Sequence, residues 1–159
     1  MPNEPNPVFL RRAIELATQN VLAGAGGPFA AVIVRDGQVI AEAANSVTTT
    51  NDPTAHGEIN AIRKACAALG TFSLTGCEIY SSCEPCPMCL TAIYWARLEA
   101  IYFGSGQQDA AKAGFDDAFL YEELGKMQAD RSIPCTQMLQ AEAWECFATW
   151  IAVPTKVDY

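Results

Sequence analysis

The sequence predicts one α/β domain in which helices alternate with the strands of a mixed sheet. A chain of 159 residues is long enough for one domain with a sizeable core, and hardly for two. Half of the residues are apolar and 18% are charged, as is typical of globular proteins. Helical and strand-like segments alternate along the chain, and the pair Asp36-Gly37 separates the first two strands. Since Asp-Gly strongly indicates a hairpin, the sheet should begin antiparallel and continue with parallel strands joined by crossover helices.

Each element is predicted from a local pattern. The first helix starts behind Pro7 and ends at Gly24, the second ends at Gly70, and Pro87 stands near the start of the third. In chain order we expect helix 7–24, two strands within 28–45, helix 55–70, strand 77–82, helix 87–98, strand 99–105, helix 118–125, a candidate strand at 132–139 and helix 141–152. The loops expected to carry functional residues are 24–27, 45–54 and 106–117.

Composition and charge narrow the class of protein. No apolar stretch reaches the ~20 residues of a membrane helix, and residues 1–17 lack the regions of a signal peptide. Seven cysteines, an odd number, favour a reducing compartment in which clustered thiols bind metal or carry out redox chemistry. We therefore expect a cytoplasmic protein with no membrane partner. The net charge of −8 argues against binding to a nucleic acid backbone.

Three cysteines crowd into the stretch SSCEPCPMCLTAIYWA, residues 81–96: Cys83, Cys86 and Cys89. Because Cys86 precedes Pro87, we expect it to cap the third helix, with Cys89 in the first turn on nearly the same side. The unpaired N–H groups and the dipole of a helix N-terminus favour thiolates, the form that binds metal. The pattern thus favours Cys86 and Cys89 as metal ligands, with Cys83 as a neighbour. A metal-free redox C-x-x-C pair is the alternative.

The triplet His56-Gly57-Glu58 supplies the missing ligand type, and His56 is the one histidine of the chain. Two thiolates and one imidazole would leave the fourth position of a tetrahedral zinc open for water. Glu58 shares a helix face with the apolar Ile62 and Leu69, and a zinc-activated water would explain an acid directed inward. Singly, His56 is equally an ordinary histidine and Glu58 a first-turn acid. Together, H-x-E and P-C-x-x-C are typical of zinc deaminases.

The segments TAHGEINAIRKA and SSCEPCPMCLTAIYWAR resemble the cytidine deaminase superfamily. GGPFAAVIV (26–34), AGFDDAFLYEEL (113–124) and a C-terminal tyrosine are most similar to the small bacterial guanine deaminases. The resemblance implies a three-layer α/β/α sandwich with a mixed five-stranded sheet. It also implies a homodimer that exchanges C-terminal segments. Cys86 and Cys89, and not Cys83, match the zinc cysteines of this group.

The resemblance also implies roles for other residues. Asn45 would recognise the purine ring by hydrogen bonds, although it is equally an ordinary turn residue. Asp117 would accept hydrogen bonds from guanine and help protonate the departing ammonia; its alternative is a helix cap. From their positions alone, Phe29 could stack on a planar base and Trp95 could wall the pocket, or both could be core residues. The backbone N–H of Gly57 would face the substrate.

Two positions depart from the guanine deaminase pattern, which usually has alanine at position 57 and often glycine at position 30. This chain has Gly57 and Ala30, and both bear on the choice of substrate. At the other end, Pro154 should stop the last helix. The resemblance implies that the tail 154–159 crosses to a partner subunit, where Tyr159 closes the pocket.

The resulting hypothesis is a single zinc-dependent domain over 1–159 that hydrolyses guanine to xanthine and ammonia. One Zn²⁺ per chain would be held by His56, Cys86 and Cys89, and Glu58 would carry protons. A deaminase of guanosine or another small amino-heterocycle is the alternative. A tRNA adenosine deaminase fits less well, since 18 acidic residues face 10 basic ones. A structural zinc module would leave Glu58 without a task.

Overall fold

A computed structural model of the protein describes residues 4–159. The helices are α1 (Pro7–Leu22), α2 (Val47–Thr50), α3 (Gly57–Leu69), α4 (Pro87–Trp95), α5 (Gln107–Lys112), α6 (Asp117–Gly125) and α7 (Gln140–Ala152). The strands are β1 (Ala30–Arg35), β2 (Gln38–Ala44), β3 (Cys77–Cys83) and β4 (Ala100–Ser105), and a 3-10 turn covers Gln128–Asp130. The described chain forms two compact units, one ending at Leu120 and one running from Tyr121 to Tyr159.

The sheet of the first unit has the order β2-β1-β3-β4. Strand β1 runs antiparallel to both β2 and β3, whereas β3 and β4 are parallel and are joined through α4. As predicted, Asp36 and Gly37 form the first hairpin, with φ of 50° and 73°. Positive φ at both positions characterises the two-residue turn that matches the twist of the strands. The sheet is therefore mixed, as expected.

Helices cover both faces of this sheet. On one face, α1 packs on Val32, Val34 and Tyr80. On the other, α3 and α4 pack on Ile33 and Ile79, which alternate with the first set along their strands. Alternation places neighbouring side chains of one strand in different layers, so the two apolar clusters hold a three-layer α/β/α arrangement together.

The prediction of five strands is wrong for the described chain, which has four. The candidate strand at 132–139 has no regular structure, and all of its residues are exposed. Pro134 within it has no N–H to donate to a neighbouring strand, which disfavours a place inside a sheet. Two short helices, α2 and α5, lie within segments that were expected to be loops.

The second unit, Tyr121–Tyr159, contains α7 and the C-terminal tail, and none of its residues is buried. Helix α7 presents Trp144, Phe147 and Ile151 to its exposed surface, and residues 155–159 have no regular structure beyond a turn. Among the described helices, none combines the length and apolar character needed to cross a membrane.

Candidate active site

The starts of two helices present the predicted metal ligands. His56 is the N-cap of α3, and Cys86 is the N-cap of α4 with Pro87 in the first helical position, as predicted. The Nδ1 atom of His56 lies 3.6 Å from the Sγ of Cys86 and 3.5 Å from that of Cys89. Contact between α3 and α4 thus brings together residues thirty positions apart in the chain.

These three donors form a group that could hold a metal ion, with ligand atoms within 4.8 Å of one another. Two sulfurs and one imidazole nitrogen suit zinc. Hydrogen bonding from Cys89 lowers the pKa of the Cys86 thiol, and His56 adds to this effect while burial opposes it. The pKa of His56 is raised, chiefly by its hydrogen bond with Cys86. The same hydrogen bond, together with burial, raises the pKa of the Cys89 thiol, so without a metal the pair favours one thiolate, at Cys86.

Cys83 is not part of this group. Its Sγ lies 4.0 Å from the carbonyl oxygen of Gly106, and burial raises its pKa to about 11. The Sγ of Cys83 is thus next to a backbone carbonyl and outside the group of three donor atoms that could hold a metal.

Glu58 lies beside the metal-binding group and is almost fully buried, with 4% of its surface exposed. Its Oε1 accepts a 2.8 Å hydrogen bond from the hydroxyl of Ser81, and its Oε2 lies 3.4 Å from the Sγ of Cys89. Burial raises the pKa of this carboxyl, and the hydrogen bond from Ser81 offsets only part of the rise. A carboxyl with a raised pKa and a fixed orientation is suited to accept and return a proton near neutral pH.

A cleft with a volume of about 290 Å³ opens above these residues. Its walls come from the loop before β1, the loops after β2, β3 and α5, and the start of α3. They include Gly27, Phe29, Asn45, Val47, Thr48, His56, Glu58, Glu84, Cys86, Phe115 and Asp117. The size suits a small planar molecule.

Asn45 ends β2 at the rim of the cleft and is held in one orientation. Its Oδ1 accepts hydrogen bonds from the backbone N–H groups of Gly27 at 3.4 Å and Val47 at 3.2 Å. The Nδ2 group has no hydrogen-bond partner in residues 4–159, although Asn45 itself is buried. Because two N–H donors fix the oxygen, the amide must offer its NH₂ group to the cleft.

Phe29 and Phe115 form an edge-to-face pair on one wall, with ring centroids 4.6 Å apart. Asp117, the first residue of α6, also lines the cleft. Burial and the neighbouring charge of Cys86 raise the pKa of the Asp117 carboxyl. This part of the cleft therefore combines a flat apolar surface with one carboxyl group.

Three residues predicted for the site are not among those that line the cleft. Trp95 is the last residue of α4, 61% exposed, with the guanidinium of Arg97 stacked 5.9 Å from its ring, so it does not wall the cleft of this chain. Six residues beyond Cys89, the helix has turned Trp95 to another side. Gly57 is buried against Ala30 of β1. Tyr159 belongs to the second unit and is exposed.

Comparison with known proteins places the chain in a family. The profile of the cytidine and deoxycytidylate deaminase zinc-binding region matches residues 4–105. The chain belongs to this family of zinc-binding deaminases. The matched region contains His56, Glu58, Cys86 and Cys89, and its C-terminal end coincides with that of β4.

One curated protein and one solved structure resemble this deaminase over nearly its whole length. The guanine deaminase of Bacillus subtilis (strain 168) is 54% identical over 151 residues, covering 95% of this chain and 97% of the relative. The X-ray structure of guanine deaminase from Bacillus subtilis superimposes with a TM-score of 0.94 at 52% identity, covering 98% and 99% of the two chains. A tRNA-specific adenosine deaminase of Agrobacterium fabrum is 49% identical over 78 residues, or about half of each chain.

Sequence reasoning about this deaminase missed three residues of the site. Ser81 holds Glu58, Phe115 faces Phe29, and Glu84 lines the cleft beside the metal-binding group. Phe115 stands within the motif GFDD, where the aspartates alone were considered. Glu84 lies between Cys83 and Cys86, so its place in the cysteine stretch was an available signal.

Proposed function

We propose that this deaminase hydrolyses guanine to xanthine and ammonia with the help of one zinc ion. The observation that carries the proposal is the cleft in which Glu58, held by Ser81, lies 3.4 Å from a sulfur of the metal-binding group. The near full-length similarity to the Bacillus subtilis guanine deaminase supports guanine as the substrate.

We propose His56, Cys86 and Cys89 as the zinc ligands. Their three donor atoms match the ligand types and the number that catalytic zinc sites use. Zinc bound there would lower the pKa of a coordinated water towards ~7 and so supply a nucleophile at neutral pH. With three protein ligands, one position is left for that water, whereas a structural zinc site normally uses four protein ligands.

Glu58 is proposed as the proton carrier. Its Oε1 is occupied by the hydroxyl of Ser81, so Oε2 is the atom that exchanges protons. Oε2 would take a proton from the attacking water and deliver it to a ring nitrogen next to C2 of guanine. A second transfer through Glu58 would let the amino group leave as ammonia. The raised pKa of this buried carboxyl favours both directions of transfer.

Asn45 is proposed to orient the purine by donating a hydrogen bond from Nδ2. The two backbone N–H groups that hold its Oδ1 leave no other group of the side chain for the substrate. Asn45 thus selects a ring atom that accepts a hydrogen bond. The backbone N–H of Gly57, at the start of α3, is a further candidate hydrogen-bond donor to the substrate.

Asp117 and Phe29 are proposed to recognise the base itself. An ionised Asp117 accepts hydrogen bonds from the ring N–H and the 2-amino group of guanine, a pattern that adenine and cytosine do not present. The ring of Phe29, supported by Phe115, offers a face on which the base can stack, worth ~1–3 kcal/mol. In its protonated form, which its raised pKa favours, Asp117 would be the alternative to Glu58 as proton donor to the leaving amino group.

The active enzyme is proposed to be a homodimer that exchanges its C-terminal segments. The second unit has no buried residue, yet it carries twelve large apolar side chains that are exposed: Leu124, Met127, Ile133, Met138, Leu139, Trp144, Phe147, Trp150, Ile151, Val153, Val157 and Tyr159. An exposed apolar surface of this extent is typical of a protein–protein interface and supports the presence of a partner. A second copy is the simplest one, and we propose that its Tyr159 closes this chain's cleft and excludes water.

The charge of the protein argues against a polynucleotide substrate. The net charge is −8, and the cleft wall carries the carboxyl groups of Glu58, Glu84 and Asp117, which would repel phosphates. The similarity to the tRNA-specific adenosine deaminase of Agrobacterium fabrum covers about half of this chain. We propose that the substrate is a free base or a nucleoside and that the enzyme acts in the cytoplasm. The seven free cysteines support that compartment.

Ammonia release from a panel of substrates tests the proposal. Zinc-loaded protein is assayed with guanine, guanosine, adenine, cytosine, cytidine and a tRNA anticodon stem containing adenosine. We expect turnover of guanine well above that of every other substrate, and a Glu58→Gln variant that retains zinc serves as the blank. Preferential turnover of guanosine would shift the assignment to a nucleoside deaminase, and release from tRNA alone would refute it.

A further inference from the structure

Glu84 lines the cleft next to the metal-binding group, and the reaction proposed above gives it no task. We propose that Glu84 is a positioning residue that fastens the metal-binding loop to the segment 107–117, which carries Phe115 and Asp117. This inference rests on the proposed function for its kinetic consequences only, because the anchoring itself can be measured without a substrate.

The carboxylate of Glu84 binds the start of α5 with both oxygens. Oε2 accepts a 3.2 Å hydrogen bond from the backbone N–H of Gln107, and Oε1 accepts another of 3.2 Å from its side-chain Nε2. The backbone N–H of Glu84 donates to the carbonyl of Ser105 at 2.8 Å. Glu84 lies two residues before Cys86, so these bonds join the metal-binding loop directly to the residues after β4.

The segment beyond this anchor connects Gln107 to residues that line the cleft. Asp109 closes the first turn of α5 by accepting the N–H of Gly106 at 3.1 Å. At the other end, the N–H of Phe115 donates to the carbonyl of Ala110 at 3.0 Å, and the Phe115 ring packs on Phe29. The segment is therefore a short rigid arm, fixed at its start by Glu84 and ending in the residues that face the base.

Loss of this anchor should weaken binding of the base more than it slows the chemistry. Phe115 and Asp117 would lose their fixed positions, whereas His56 and Glu58 are held by α3 and by Ser81 and stay in place. Interactions made equally in the ground state and the transition state appear in KM. A hydrogen-bonded charged group typically contributes enough for about a 10-fold effect or more.

Two variants remove the anchor from opposite sides. Glu84→Ala removes the acceptor, and we expect KM for guanine to rise about 10-fold with kcat within about 3-fold. Gln107→Pro removes both donors, and proline is favoured at this first helical position behind an extended Gly106. We expect the same rise in KM. The double variant should be no worse than either single one, because both break one interaction.

Two further variants distinguish anchoring from a general loss of structure. Glu84→Gln keeps a carbonyl for the Gln107 N–H, and Gln107 can turn its own amide, so KM should stay within about 3-fold of the parent. Glu99→Ala is the matched control, since Glu99 Oε1 accepts the backbone N–H of Gly76 at 2.8 Å and does not line the cleft. Its KM should not change.

Hydrogen exchange of the peptide 106–117 supplies the readout that needs no substrate. In zinc-loaded protein, Glu84→Ala and Gln107→Pro should both speed exchange in this peptide, while zinc content stays at the parental level. If Glu84→Ala fails to fold, Gln107→Pro decides the matter. The proposal would be overturned by unchanged exchange in the variants, or by an unchanged KM in an enzyme that is active on guanine. Additive effects in the double variant would overturn it too, as would a Glu84→Gln variant as impaired as Glu84→Ala. If the parent protein does not turn over guanine but the two variants still exchange faster than the parent, the proposed function is refuted and the anchoring role of Glu84 is supported.

Discussion

Replacing Gly57 with alanine should destabilise the enzyme through a single contact. Gly57 opens α3 between the proposed zinc ligand His56 and the proposed proton carrier Glu58, and it packs on Ala30 of the buried strand β1. A Cβ at position 57 would lie 2.8 Å from the Cα of Ala30 and 3.1 Å from its backbone nitrogen. These are backbone atoms in a sheet, so no flexible side chain can move away. To reach an ordinary contact, α3 or β1 must shift by about 0.6 Å.

The size of the effect follows from two opposing contributions. Overpacking of a rigid interior costs about 1–3 kcal/mol. Alanine recovers up to about 1 kcal/mol of this, because it forms helix more readily than glycine. With the middle of the overpacking range, about 2 kcal/mol, the net loss is about 1–2 kcal/mol, which corresponds to a decrease in Tm of roughly 2–8 °C for a protein of this size. The same shift moves Glu58 relative to the metal-binding group, so kcat should fall as well.

Thermal unfolding of zinc-loaded protein tests this reasoning. Gly125→Ala is the matched control, since a Cβ there would meet nothing within 4 Å, and its Tm should not fall. Because the atoms that the new Cβ would meet belong to the backbone of Ala30, adding Ala30→Gly should not by itself recover the lost Tm. A Gly57→Ala protein that unfolds within about 1 °C of the parent would refute the close approach of α3 and β1.

Three further outcomes test the proposed site. Glu58→Gln should keep zinc and fold while kcat falls at least ~10²-fold, because the amide cannot carry a proton; near-normal turnover would exclude Glu58 from that role. Zinc analysis should show about one ion per chain in the parent protein. Cys86→Ala and Cys89→Ala should lose the ion, and Cys83→Ala should retain it; loss in Cys83→Ala with retention in Cys89→Ala would contradict the proposed ligand set. Deleting residues 155–159 should leave folded, zinc-loaded protein with poor guanine turnover, and mixing it with Glu58→Gln protein should restore activity through mixed dimers. Full activity of the truncated protein alone would argue against the exchanged tail.

The metal-binding residues were predictable because their placement depends on near neighbours. Pro87 sets the start of α4, which makes Cys86 its cap and puts Cys89 one turn further on. Likewise, the burial of Glu58 follows from the apolar face of α3. The candidate strand at 132–139 failed for a different reason. A strand forms only where another strand offers hydrogen bonds, and short apolar runs contain no information about that partner.

The sequence by itself determined the α/β class, the Asp36-Gly37 hairpin and the donor set of the metal site. All of these arise from interactions between residues a few positions apart, which the order of the residues specifies directly. Tertiary structure alone decided that Ser81 holds Glu58, that Glu84 reaches Gln107 and that Trp95 faces away from the cleft. The physical reason is that these contacts join different elements. Their distances depend on how strands and helices pack, and packing is a property of the whole unit, not of any one segment.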